Sequence, residues 1–187
     1  MAKTGDCIES PLLRDRIVFR RTAADTDGEL LEIDDFASPG NLAPVVHIHA
    51  KQQEVLEVLA GRMWGTLDGK ERVYEVGERL IVEPGSRHTW RNAGDSELHV
   101  RATFRPAGHA ERFFETVFGL TRDGLTDAAG VPQFLQIMAW TREYEIFVPD
   151  PPLPLQRALS TVLRPVAHWR GYKAWYPKYS PDAPTIV

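Results

Sequence analysis

The sequence contains little that would tie it to an oxidising compartment, a membrane or a nucleic acid. Its one cysteine, Cys7, has no second cysteine in the chain for an internal disulfide. No run of about 18 apolar residues is present to span a bilayer, and the polar beginning MAKTGDCIES lacks the apolar segment of a secretory signal. A net charge of −4 gives no general attraction to nucleic acid. We therefore expect a cytoplasmic protein that binds no nucleic acid.

Internal repeats, low-complexity tracts and a glycine-rich phosphate loop are missing as well. A chain of 187 residues with ordinary apolar content can bury one good core, and nothing in its composition suggests two independent domains. We predict one elaborated domain that does not handle phosphorylated sugars.

Short strands dominate the first half of the chain. RIVFRR and GELLEIDDF alternate apolar with charged residues, and EVLEVLAGRMWGTLDGKERVYEV contains three strand-like segments separated by Gly61 and by the tight Asp68-Gly69 turn. In SELHVRATF the apolar residues share one face, and they are Leu98, Val100, Ala102 and Phe104. This spacing predicts an antiparallel sandwich or barrel.

Two of the strand-like segments carry groups that bind divalent metals. His47 and His49 project to the same side of an extended strand, about 7 Å apart at Cα, while Ile48 points the other way. Glu54 follows shortly after, and His88 lies on a later strand. Three imidazoles and a carboxylate form the mixed nitrogen and oxygen set that suits first-row metals. We predict that these four residues bind one divalent ion.

The residues around these donors follow a definite spacing in two blocks. In the first block, His47, Ile48 and His49 are followed after four residues by Glu54 and after six more by Gly61. In the second block, Gly77 is followed after six residues by Pro84 and Gly85, after two more by His88, and after three more by Asn92. Both blocks resemble the paired motifs of the cupin superfamily, over roughly residues 28–106. Two departures do not touch a ligand: the preceding glycine, Gly40, is one residue further upstream than usual, and Pro84 directly precedes Gly85.

The resemblance implies a mainly β fold, a jelly-roll barrel with a C-terminal helical appendage. Three parts are then expected: an N-terminal strand or arm over residues 1–27, the barrel over residues 28–106, and a helical extension over residues 107–187 that packs on the barrel or on a second subunit. It also implies that His47, His49, Glu54 and His88 are the metal ligands. Iron, manganese, nickel, cobalt, copper and zinc all remain open, because ligand type does not separate them.

Side chains on the inward face of the expected barrel would form a substrate pocket. Alternation places Trp90 on the same face as His88, and Leu56, Val58 and Met63 are the other candidate walls. Such walls favour a small organic substrate with apolar or aromatic surface. Glu54 has two possible roles, either a permanent ligand or a catalytic general base that leaves the metal. His99 is expected to face outward, and His109 and His168 belong to the appendage.

Beyond Pro106 the hydrophobic period changes from two to about 3.6 residues. One apolar helical face runs from Ala110 to Phe118 and is expected to end at Gly119, and Pro132 is expected to open a second helix. A third apolar series runs from Leu155 to Val166, disturbed by Pro165. We expect these faces to pack against the barrel or a second subunit.

The C-terminal tail mixes basic and aromatic residues, which can contact an anionic membrane. A solvated face with aromatic packing is more frequent, so we expect no membrane contact. The exposed edge strands of a jelly-roll need to be covered, and we therefore predict a homodimer. Exchange of the N-terminal strands between the two subunits is one way to cover these edges.

Three functions fit these observations. The first is a metal-dependent enzyme of dioxygenase type, which the ligand set suggests by its resemblance to single-domain quercetinase-like cupins. The second is a non-redox isomerase, lyase or cyclase that uses the metal as a Lewis acid. The third is a ligand-binding module without turnover.

Overall fold

A computed structural model describes residues 1–180 and shows a mainly β protein with helices in its C-terminal part. Eleven strands lie in this part of the chain: β1 Cys7–Ser10, β2 Asp15–Arg21, β3 Leu31–Ala37, β4 His47–His49, β5 Gln53–Ala60, β6 Met63–Leu67, β7 Lys70–Tyr74, β8 Arg79–Val82, β9 Arg87–Asn92, β10 Leu98–Arg105 and β11 Ile146–Phe147. Three helices follow the barrel strands: α1 Ala110–Arg122, α2 Phe134–Tyr144 and α3 Leu153–Trp169. The predicted jelly-roll with a helical appendage is confirmed.

The strands form two antiparallel sheets that enclose one core. Six strands lie in the order β1-β2-β3-β10-β5-β8, and five in the order β11-β4-β9-β6-β7. Alternation decides which side chains fill the space between the sheets, and the four apolar residues predicted on one face of β10 are all buried. Asp68 and Gly69 both have positive φ, 48° and 79°, which suits the tight turn between β6 and β7.

The N-terminal strands belong to the same sheet as the barrel strands. β2 pairs with β3 of its own chain, and β1 adds to its outer edge. Ile17 and Phe19 of β2 and Leu31 and Ile33 of β3 are buried in the core, as their alternation predicts. The arm of residues 1–27 is therefore integrated into the six-stranded sheet.

Helix α1 packs against the barrel and differs in one respect from its prediction. Phe114 lies on Phe104 of β10, with ring centroids 5.5 Å apart. The predicted end at Gly119 is wrong, because the helix continues to Arg122. A Cβ atom at Gly119 would stand 2.4 Å from the Tyr179 ring, so this glycine permits close packing inside the helix. Glycine in a helix has this use as well as that of a stop signal.

The two later helices also depart from expectation at particular residues. Pro132 lies two positions before α2, which begins at Phe134 after the N-cap Gln133. Pro165 does not interrupt α3, which continues to Trp169. Proline cannot donate to the carbonyl of Thr161, but both residues are exposed, so water can bind the free carbonyl.

Most of the apolar series of α3 is exposed, so the barrel does not cover it, and packing on a second subunit stays a prediction. Val162 is 70% exposed and Trp169 80%, and Leu155 and Val166 are exposed as well. The face of α3 that is buried carries Gln156, Ser160 and Ala167 instead. α3 uses this small and polar face to pack on α2. None of the helices within residues 1–180 has the length and apolar composition needed to span a bilayer.

Candidate metal centre

Two neighbouring strands hold the three candidate histidines. β4 pairs with β9 in antiparallel register, with His47 directly opposite His88. His49 is two residues further along β4, so it projects to the same side as His47. The side chains of the two strands therefore meet on the inner face of the five-stranded sheet.

The fourth candidate ligand reaches the histidines from the opposite sheet. Glu54 lies near the start of β5, where it pairs with Phe104 of β10. Its Oε2 lies 2.7 Å from Nε2 of His88 and 3.3 Å from Nε2 of His49. Nε2 of His49 lies 3.2 Å from Nε2 of His47. The structure thus brings together all four residues predicted from the sequence, with one ligand atom of each within 4.8 Å of the others.

These donor atoms fit a divalent cation. Metal–nitrogen and metal–oxygen bonds of about 2.1 Å place adjacent ligand atoms roughly 3 Å apart, close to the separations seen here. Nε2 of His88 and Oε2 of Glu54 are buried and make no hydrogen bond within the described residues. Buried polar atoms without partners are costly, and a cation bound between these two would satisfy both.

The hydrogen bond of His47 prepares its other nitrogen for coordination. Nδ1 lies 2.9 Å from the carbonyl oxygen of Val45, and a carbonyl only accepts, so Nδ1 carries the proton. Nε2 is then free to offer its lone pair to the site. Such outer contacts commonly orient metal-binding imidazoles.

Burial and the neighbouring charges shift the pKa values of the residues in the cluster. Burial lowers the pKa of His47 to about 3, and the neighbouring His88 and His49 act in the same direction. For Glu54, burial would raise the pKa, but the charge of His88 and the close approach of the His49 and His88 imidazoles outweigh it and lower the pKa well below its usual range. Burial lowers the pKa of His88, but Glu54 overcomes this and raises it. Glu54 is therefore a carboxylate at neutral pH, as a metal ligand must be.

The cluster is closed on most sides and more open at His47. His49, Glu54 and His88 are buried, whereas His47 is only partly buried. The segment before it, with Val45 and Val46, is exposed. A small molecule would approach the donor atoms from the His47 side.

The four predicted pocket residues lie inside the barrel. Leu56 and Val58 follow Glu54 on the inward face of β5, Met63 is on β6, and Trp90 follows His88 on β9. All four are buried in the main core cluster. That they contact a substrate stays a prediction.

The other histidines lie away from the cluster, as expected. His99 is on the outer face of β10, where it stacks on Phe36 and lies 3.4 Å from Asp34. His109 is the N-cap of α1, and His168 is in α3.

Sequence reasoning missed two supports of the site. β11, a two-residue strand beyond α2, pairs with β4 and places Ile146 opposite His49. Phe104 packs against the His49 ring, with centroids 5.9 Å apart. The inward alternation of β10 could have revealed Phe104, but two residues are too few to give β11 a periodic signal.

Comparison with known proteins agrees with this geometry. Residues 37–104 match the protein family described as the cupin domain, and this stretch contains all four candidate ligands. This stretch of the chain is therefore a cupin domain. No curated protein matches the sequence.

Solved structures similar to this cupin come from several bacteria. A predicted oxalate decarboxylase from Thermotoga maritima is 18% identical, with a TM-score of 0.47 over 49% of this chain and 80% of that one. KdgF from Halomonas sp. is 16% identical, with a TM-score of 0.45 over 50% and 79%. An RmlC-like cupin from Shewanella frigidimarina is 20% identical, with a TM-score of 0.46 over 56% and 86%. Likeness at this level indicates no particular substrate or reaction.

Proposed function

We propose that this cupin is a metal-dependent enzyme of dioxygenase type that acts on a small organic substrate inside the barrel. The observation that carries the proposal is the convergence of His47, His49, Glu54 and His88 on one buried point. A divalent metal bound there would supply coordination positions for a substrate oxygen and for dioxygen.

The surrounding residues would position the substrate. The partly buried His47 marks the side from which the substrate enters, and the apolar side chains of Leu56, Val58, Met63 and Trp90 lie deeper in the barrel. Apolar walls exclude water and favour aromatic or enolic carbon skeletons over phosphorylated sugars. No other cluster of metal-binding side chains was found within residues 1–180.

Glu54 is the residue best placed to handle a proton. Its carboxylate is ionised at neutral pH because the imidazole of His88 lowers its pKa, and its Oε2 already contacts two imidazoles. We expect it either to remain a ligand throughout or to accept a proton from the substrate hydroxyl.

Metal analysis and oxygen uptake test the proposal. Protein purified without a histidine tag should contain about one first-row metal per chain. It should consume oxygen with at least one member of a panel of flavonols, diketones and catechols. Turnover without oxygen uptake would contradict the dioxygenase and indicate Lewis-acid chemistry. Metal binding without any turnover would indicate a ligand-binding module.

Two histidines of the same chain provide matched variants. His88→Ala should abolish metal binding and oxygen uptake, whereas His99→Ala, on the outer face of β10, should retain both. Glu54→Gln should separate the two roles of the carboxylate, because loss of turnover with the metal retained identifies the base.

The homodimer and the cytoplasmic location stay predictions.

A further inference from the structure

A buried arginine on α1 forms no salt bridge with any of the described residues. Arg112 is 2% exposed, and its Nε and Nη1 atoms are buried without a hydrogen-bond partner. The guanidinium lies 5.1 Å from the centroid of the Trp175 ring, which covers it. An arginine is charged at every pH that a protein tolerates, so it cannot escape burial by losing a proton.

The acidic residues next to Arg112 on α1 are engaged elsewhere. Glu111 accepts a hydrogen bond from the backbone N–H of Ala23, and Glu115 accepts one from the hydroxyl of Ser180. Neither forms an ion pair with Arg112 within residues 1–180. Burial raises the pKa of both carboxyl groups. The charge of Arg112 acts in the opposite direction on Glu111 but does not outweigh burial, so each carboxyl group carries its charge less readily than an exposed glutamate.

The other polar groups around the guanidinium do not offer it a negative charge. Thr116, one turn further along α1, is fully buried, and its hydroxyl makes no hydrogen bond of ordinary geometry. Tyr144 donates its hydroxyl hydrogen to the carbonyl of Ala174. Burial raises the pKa of Tyr144 well above its usual range, so it stays neutral.

We propose that the guanidinium of Arg112 binds a small monovalent anion between α1 and the C-terminal segment of residues 174–180. A buried cation with two N–H groups that make no hydrogen bond is strongly unfavourable. A bound anion would neutralise the charge and also accept hydrogen bonds from these donors. A monatomic halide is the smallest ligand that meets both requirements, so chloride and bromide serve as the test anions. The site is independent of the proposed reaction.

An anion at this position would fix the helix that borders the metal centre. α1 carries Phe114 on the same helix as Arg112, Phe114 packs on Phe104, and Phe104 packs on His49. The anion would hold the outer side of α1 against the C-terminal segment while Phe114 holds its inner side against the barrel.

Bromide gives a direct test, because its anomalous scattering identifies it in a crystal. Crystals of the full chain grown with sodium bromide should show an anomalous peak within hydrogen-bond distance of Nε or Nη1 of Arg112. Water molecules at this place, with no bromide, would overturn the proposal. This measurement needs no variant.

Thermal unfolding tests the same site in solution. When sodium chloride replaces sodium gluconate at constant ionic strength, the Tm of the wild type should rise and then saturate. At about 100 times the Kd the folded-to-unfolded ratio increases about a hundredfold, which raises Tm by about 5–10 °C for a chain of this length.

The variants Arg112→Met and Arg122→Met form a matched pair on one helix, since Arg122 is exposed at the end of α1. Arg112→Met should lose the chloride-dependent rise, and Arg122→Met should retain it. Equal chloride dependence in both variants would show that the effect is general and would overturn the proposal. If Arg112→Met does not fold, the bromide crystal decides.

Discussion

Replacement of Gly119 by alanine tests how closely the C-terminal segment packs on α1. The added Cβ would lie 2.4 Å from Cγ and Cδ1 of Tyr179 and 2.7 Å from Cδ2. Ordinary carbon contacts begin near 3.5 Å, so the ring must move by about 1 Å. Tyr179 also donates its hydroxyl to Asp123 across 2.6 Å, and movement of the ring strains this bond.

The magnitude follows from two opposing terms. Alanine in a helix interior is more favourable than glycine by about 1 kcal/mol. Overpacking costs about 1–3 kcal/mol, and the approach of 2.4 Å to the ring places this substitution at the upper end of that range. We expect Gly119→Ala to lower the free energy of unfolding by about 1–2 kcal/mol, against the intrinsic helix preference.

A double-mutant cycle with Tyr179→Ala separates the two terms. Removal of the ring leaves only the helix preference, so Gly119→Ala should then stabilise the protein by up to about 1 kcal/mol. Urea unfolding of the wild type, both single variants and the double variant measures the four free energies. If Gly119→Ala stabilises the wild type, or destabilises the chain without Tyr179, then the ring does not determine the effect and the reasoning is refuted.

Two neighbouring aspartates of β3 should respond to pH in opposite directions. Asp34 is buried on the outer face of the sheet and accepts hydrogen bonds from Arg20 (2.6 Å) and Arg101 (2.9 Å). Burial would raise the pKa of Asp34, but these two arginines outweigh it and lower the pKa. Asp34→Asn should cost about 1–2 kcal/mol at pH 7, less than a fully buried pair because both arginines are partly exposed. Because its folded pKa is depressed, this loss should shrink as pH falls below about 4. Asp35 faces inward, and burial together with the charge of Asp15 raises its pKa well above 3.8. Its folded state holds a proton that the unfolded state releases, so its contribution to stability falls as pH rises above about 4. Asp35→Asn keeps a hydrogen-bond donor toward Asp15 but has no carboxyl group to ionise. Above about pH 4 its free energy of unfolding should therefore rise relative to that of the wild type, by about 1.4 kcal/mol for each unit by which the pKa of Asp35 is raised. Urea unfolding from pH 3 to 7 measures both, and parallel profiles for a variant and the wild type would contradict the assignment.

The barrel and its metal donors were predictable because their signals are local. Alternation along β5 and β10 identifies inward residues without knowledge of their neighbours, and Leu56, Val58 and Val100 are buried as that pattern requires. The two blocks around the histidines also carry their own spacing, so the meeting of His88 with His47 required only that β4 and β9 be neighbours.

The helical part was less predictable because its contacts join residues far apart in the chain. Gly119 has the sequence signature of a helix end, and only Tyr179, 60 positions later, shows why it lies inside the helix. Arg112 looks like an ordinary solvated charge until the segment with Trp175 covers it. The apolar series of α3 predicts a buried face, yet the buried residues of this helix are Gln156, Ser160 and Ala167.

The C-terminal extension is structurally part of the candidate metal centre. β4 has only three residues, and a strand of that length needs hydrogen-bonded neighbours on both sides to hold its side chains in one orientation. β9 supplies one neighbour from the barrel, but the other is β11, which follows α2 and places Ile146 opposite His49. The N–H of Ala50 also donates to the carbonyl of Glu145, just before β11. The position of His49 relative to His88 and Glu54 therefore depends on the helices as well as on the barrel.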